Sequence, residues 1–139
     1  MKWFMVSLVL SVVSFSCNPD DNSSTGNNLQ TSDLSGLWKV RQFIDDGKDE
    51  TYYFTGYTFV FSNDVITASK SGSNVAGTYA LQAGSNNARK MVISFPDTEP
   101  WDELNEDWTV IEWSQNLLKL RHVSGGNGGI DDLTFEKVN

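Results

Sequence analysis

From residue 34 onward, apolar and polar side chains alternate in short runs, each closed by a cluster of turn-forming residues. Tyr57, Phe59 and Phe61 fall on one face of a strand, as do Tyr79 with Leu81, Met91 with Ile93 and Phe95, and Leu118 with Leu120. The opposite faces take Lys39, Arg41, Thr58, Thr78, Lys119 and Arg121. A period of two with one dry and one wet face is the mark of half-buried β-strands. Strands are predicted over residues 37–44, 52–61, 65–70, 75–82, 89–95, 108–113, 117–123 and 130–138. Between them stand Asp46-Gly47, Asn63-Asp64, Ser71-Gly72, Gly84-Ser85-Asn86-Asn87 and a glycine-rich run at 125–129.

Most of these connectors are too short for a crossover, so neighbouring strands should pair antiparallel in chain order. The expected fold is all-β: an eight-stranded up-and-down meander that closes into a barrel and so removes its edges. Trp108 and Trp113 fall on opposite faces of one strand unless a bulge intervenes. The one long connector, residues 96–107, is dense in acids; its 102–107 portion is expected to form a helical turn and to cap or flank one barrel end.

The first 33 residues follow a different pattern. Lys2 precedes an apolar run over residues 3–13, long enough for the core of an export signal and too short to span a bilayer. Ser14 and Ser16 stand just before Cys17, the only cysteine of the chain. Residues 18–33 are rich in Asn, Ser and Asp, with Leu29 the one apolar side chain. A segment of that composition buries too little to offset its ordering entropy and reads as a tether, roughly 20–24 Å in mean span for sixteen flexible residues. The division is therefore a signal at 1–16, Cys17 with its tether over 17–33, and one barrel domain at 34–139.

Composition narrows the function classes. The 139 residues carry 18 acidic and 10 basic side chains, a formal charge of -8, which argues against a nucleic-acid partner because such partners need a basic face. One Cys and one His supply neither an internal disulfide nor a cysteine- or histidine-based metal cluster. His122 is the only base available to a nucleophile, and no nucleophile-elbow motif accompanies it, so it reads as a rim or core residue. The acids at 97–107 and 45–50 match no calcium loop and read as solvated connectors. The expectation is a non-enzymatic, monomeric protein without metal or cofactor.

The residues around Cys17 resemble the lipobox of bacterial lipoproteins, whose cysteine is lipidated after cleavage immediately before it; Asp20 and Asp21 are similar to the acidic surface-export signal of Bacteroidetes lipoproteins. Residues read without that resemblance leave a free or intermolecularly paired thiol and two solvated acids. The element Gly36-Leu37-Trp38 resembles the lipocalin opening motif, in which the Trp packs across the closed end of the barrel. With Tyr57-Thr58-Phe59-Val60-Phe61, Gly77-Thr78-Tyr79-Ala80-Leu81, Asn116-Leu117-Leu118-Lys119-Leu120 and Leu133-Thr134-Phe135-Glu136-Lys137, the chain resembles the small lipocalin-like lipoproteins of Bacteroidetes. That resemblance implies attachment to the outer membrane or cell surface through lipid on Cys17, and a small hydrophobic ligand at the open end of the barrel.

Trp38, Tyr57, Phe59, Tyr79, Phe95, Trp101 and Leu120 are the candidate ligand contacts. Eight strands are just wide enough to hold one small ligand or to fill with side chains, and aromatics on most strands consume interior volume. Two readings follow: a shallow cavity binding an apolar molecule, or a filled barrel whose loops meet a glycan or an outer-membrane protein. Trp101 divides them, as a lid folded back on the barrel or an exposed stacking platform.

Overall fold

The computed structural model describes residues 28–126 and 128–139, together with the backbone of residues 24–25. The expected signal, Cys17 and the first part of the tether lie outside the described residues.

Ten strands are present among the described residues: β1 (Ser24–Thr25), β2 (Leu37–Asp45), β3 (Lys48–Asp49), β4 (Thr58–Ser62), β5 (Val65–Lys70), β6 (Ser73–Ala83), β7 (Arg89–Ser94), β8 (Asp107–Trp113), β9 (Leu117–Val123) and β10 (Ile130–Lys137). Eight of them close a ring in the order β2-β4-β5-β6-β7-β8-β9-β10, with β10 pairing back to β2 and every neighbour antiparallel. The fold is a closed, eight-stranded up-and-down β-barrel. β1 adds to β8 and β3 to β2 as short outer pairings.

The alternation seen in the sequence becomes the barrel wall. Phe59, Ile66, Met91, Ile93, Leu118, Leu120, Leu133 and Phe135 point inward and are fully buried. The outer wall of β2, β8, β9 and β10 is laced by ion pairs, Lys39 and Arg41 with Glu136, Lys119 with Glu112, and Arg121 with Asp132. Exposed pairs of this kind contribute little to stability, and they keep this wall wet.

Two bulges adjust the phase. Phe135 pairs with Val40 and Thr134 with Gln42, which leaves Arg41 as an extra residue on β2. Arg41 and Gln42 both face out, and Phe43 returns inward. On β8, Val110 pairs with Leu120 and Glu112 with Lys119, so Ile111 is the extra residue. Its insertion brings Trp113 onto the inward side with Trp108, where it packs against the core.

Three local departures from the expected elements matter. The run expected as a strand over 52–61 begins instead as a 3-10 turn at Thr51–Phe54, and only Thr58–Ser62 enters the sheet. The helical turn in the long connector is shorter than expected, a 3-10 turn over Asp102–Leu104. The packed body also reaches upstream of residue 34: Leu29 is 1% exposed, and a 3-10 turn at Thr31–Leu34 buries Leu34. Two leucines five residues apart supply enough apolar surface to order this stretch of an otherwise polar segment.

Candidate functional site

One end of the barrel is sealed by Trp38. Its indole N–H donates to the carbonyl of Leu34 at 2.9 Å, which ties β2 to the Thr31–Leu34 turn. The Lys137 ammonium lies over the indole face, 4.9 Å from the ring centroid, a cation–π contact. Gly36, at φ +106°, turns the chain so that Trp38 enters the barrel and its own Cα lies close under the Lys137 stem.

The opposite end, where a lipocalin-like ligand would enter, is filled by Trp101. It is 6% exposed and surrounded by aromatic rings: Tyr57 and Phe95 with centroids at 5.0 Å, Phe54 at 6.1 Å and Phe59 at 6.5 Å. Tyr57 and Phe59 meet it edge to face, the arrangement aromatic quadrupoles favour. The connector holds the ring by backbone bonds from Trp101 and Asp102 N–H to the Thr98 carbonyl, and Asn105 clamps Phe95 through both its N–H and its carbonyl. Leu104, fully buried, accepts the Trp108 indole N–H on its carbonyl at 3.1 Å. The acidic connector therefore caps a barrel end, as expected, with Trp101 folded back as a lid.

The candidate ligand contacts divide between the two ends and the space between them. Tyr57, Phe59, Phe95 and Trp101 converge at the mouth. Trp38 belongs to the sealed end, and Tyr79 stacks edge-on to Phe61 at 5.1 Å, whose ring in turn meets Phe135. Leu120 lies in the interior on β9, paired across the sheet with Leu133 and Val110. Phe54 is a mouth residue that strand periodicity assigns to the wet face with Thr58. The 3-10 turn and Gly56 at φ +83° reset the phase and turn it inward.

Beside the mouth the barrel wall is breached. β2 and β4 pair only through Leu37 with Val60 and Trp38 with Phe59, whereas β4 and β5 share five pairs and β5 and β6 share six. Beyond Trp38 the two strands part. The Thr51 side chain and the Glu50 N–H, not β4, satisfy the Phe43 backbone. The parting leaves a groove of about 380 Å³ whose floor is Val40, Phe54 and Tyr57, with Lys39, Arg41 and Glu136 along its rim. Phe54 and Tyr57 thus touch Trp101 on one side and line the groove on the other.

Two clusters of titratable groups stand near the same end. Asp45, Glu50 and Glu103 bring carboxylate oxygens within 4.8 Å of one another. Glu50, 5% exposed, is paired with Lys48. Burial, then the neighbouring Asp131, raise the Asp45 carboxyl above its ordinary range; burial, then Asp45, do the same for Glu103. His122 is held between two carboxylates, Nε2 to Glu106 at 3.3 Å and Nδ1 to Asp107 at 3.2 Å, with its ring edge toward Trp108. It sits at the rim beyond Leu120, as the strand period implies. A hydrogen bond with Lys90 holds Asp107 below the usual carboxylate range.

No protein-family model matches the chain, and no curated protein matches it in sequence.

Proposed function

We propose that this protein is a lipid-anchored, non-enzymatic lipocalin-like module, attached to the outer membrane or cell surface through Cys17, that binds a small hydrophobic molecule at the mouth of its barrel. The observation that carries this reading is the aromatic cup of Phe54, Tyr57, Phe59 and Phe95. Its present occupant, Trp101, is borne on a surface connector rather than on the barrel wall. A cup built around an apolar ring accepts another apolar group when that ring moves aside, and the groove beside it already opens onto two of its walls. Anchoring by lipid agrees with an export signal followed by a lone cysteine and a polar tether.

Native mass spectrometry of protein extracted from its own membranes is the direct test. A co-purifying hydrophobic molecule, lost on replacing Tyr57 by Ala, is expected; a bare protein mass in every preparation would overturn the binding role. Exchanging Cys17 for Ala should move the protein to the soluble fraction, and unchanged membrane association would overturn the anchor.

A second reading, that loops recruit a partner, is favoured by the charge at this end. The segments 45–50 and 97–107 carry ten acids against the single base Lys48. Neutralising Asp97, Glu99 and Asp102 abolishes partner cross-linking in intact cells on that reading and leaves binding of hydrophobic molecules unchanged.

A further inference from the structure

The breach between β2 and β4 sets two kinds of chemistry side by side. Its floor is apolar: Val40, Phe54 and Tyr57. Its rim carries two exposed cations, Lys39 and Arg41, on adjacent outward positions. They lie on one face because they are two residues apart on β2, on either side of the buried Val40. Glu136 is the one acid lining it, 3.0 Å from Lys39 and 3.8 Å from Arg41, so two cations share a single carboxylate. A third cation lies behind the opposite lip, where Lys70 donates to the Thr55 carbonyl at 2.7 Å and covers the Tyr57 ring at 4.9 Å. In a chain of net charge -8, this is a local excess of positive charge against apolar surface.

From this juxtaposition we infer that the breach binds a free long-chain carboxylate. The head group is held by Arg41 and Lys39, and the tail lies along Val40 toward Phe54 and Tyr57. The inference rests on the hydrophobic-ligand reading above and gives that ligand a charge and an entry route. Arg41 presents a planar fork of donors that matches a carboxylate in two-point contact, and Glu136 already occupies it only at a long distance. A groove of about 380 Å³ lies at the lower end of the range of small-ligand sites, about 300–1,000 Å³. Longer tails pass beyond Phe54 and Tyr57, which pack against Trp101, and enter the cup as Trp101 gives way. Electrostatic attraction at the rim selects the anion, and burial of methylenes supplies the affinity.

The test is isothermal titration of the soluble domain, residues 24–139, with decanoate, 1-decanol and decyltrimethylammonium, each below its aggregation limit. Circular dichroism and a cooperative melt first establish that this segment folds; the full chain in detergent micelles is titrated if it does not. Decanoate is expected to bind at least tenfold tighter than decanol, and the ammonium at least tenfold weaker than decanol. In the double variant K39E/R41E, decanoate binding should fall by tenfold or more while decanol binding stays within twofold. The outer-wall variant K119E should bind all three as the parent does. Equal affinity for decanoate and decanol, or decanoate binding unmoved by K39E/R41E, overturns the anionic site and leaves the hydrophobic-ligand reading standing. Absence of binding by all three overturns both. Filling the groove by T58W, with a melting temperature near the parent's, should abolish decanoate binding; retained binding would place the ligand elsewhere and overturn the inference.

Discussion

Phe95 lies directly over Gly77: a Cβ on residue 77 would stand 2.8 Å from the Phe95 ring and 2.5 Å from the Ser94 carbonyl oxygen. Neither neighbour has room to retreat, since Phe95 is buried against Trp101 and Ser94 is in the ladder opposite Thr78. Gly77→Ala is therefore expected to destabilise the barrel by about 1–3 kcal/mol, the usual cost of overpacking. Urea unfolding of the variant checks this, and Trp101 fluorescence should shift to the red in the folded state as its neighbour is pushed aside.

Trp101→Ala is expected to cost about 3–5 kcal/mol, because the ring is buried among four others and the residues around it cannot all close on the space. The measurement is again chemical denaturation. A cost below about 1 kcal/mol would mean that the connector is a loose flap rather than part of the core.

At the sealed end, Trp38→Phe keeps most of the apolar volume and removes the indole N–H that meets the Leu34 carbonyl. A buried carbonyl without a donor costs about 1–3 kcal/mol. Hydrogen exchange should show the Thr31–Leu34 turn losing protection before the strands do.

Stability should pass through a maximum on mild acidification. Asp45 and Glu103 are held above the ordinary carboxyl range, so the folded state binds their protons more tightly than the unfolded chain, and stability rises as pH falls from 7 through their folded values. Asp107 and Asp49 are held below that range, by Lys90 and by Thr51 respectively. Their contribution is fully present above the unfolded carboxyl range and is lost as pH falls through their folded values. Thermal melts should therefore peak near the ordinary carboxyl range, about pH 4, and Glu103→Gln should flatten the limb between that peak and neutrality.

The closed meander was legible because its signals are local. Residues 65–70 and 117–123 are short β-rich runs with polar turns at both ends, and both strands occupy those bounds. Phe54 and Leu29 were not legible. Each owes its burial to a contact across the chain: Phe54 to Trp101 on a connector 47 residues away in sequence, and Leu29 to a core it joins from within a polar segment. The face of Trp113 turned on a single unpaired residue, Ile111, which no side-chain pattern announces. The breach was hidden for a related reason. Its cause is the loss of pairing beyond Trp38, and pairing is a property of two strands rather than of either sequence run.

That loss of pairing has a consequence for how the molecule comes apart. A ring opens at its weakest joint, and here two residue pairs, Leu37 with Val60 and Trp38 with Phe59, are all that separates a barrel without edges from a curved sheet with two. Opening there would free β2 and β4 to pair with another chain, the event that closed barrels otherwise forbid. The fraction of molecules able to aggregate is then governed by this short seam and by Trp38, which anchors it, rather than by the free energy of unfolding the whole.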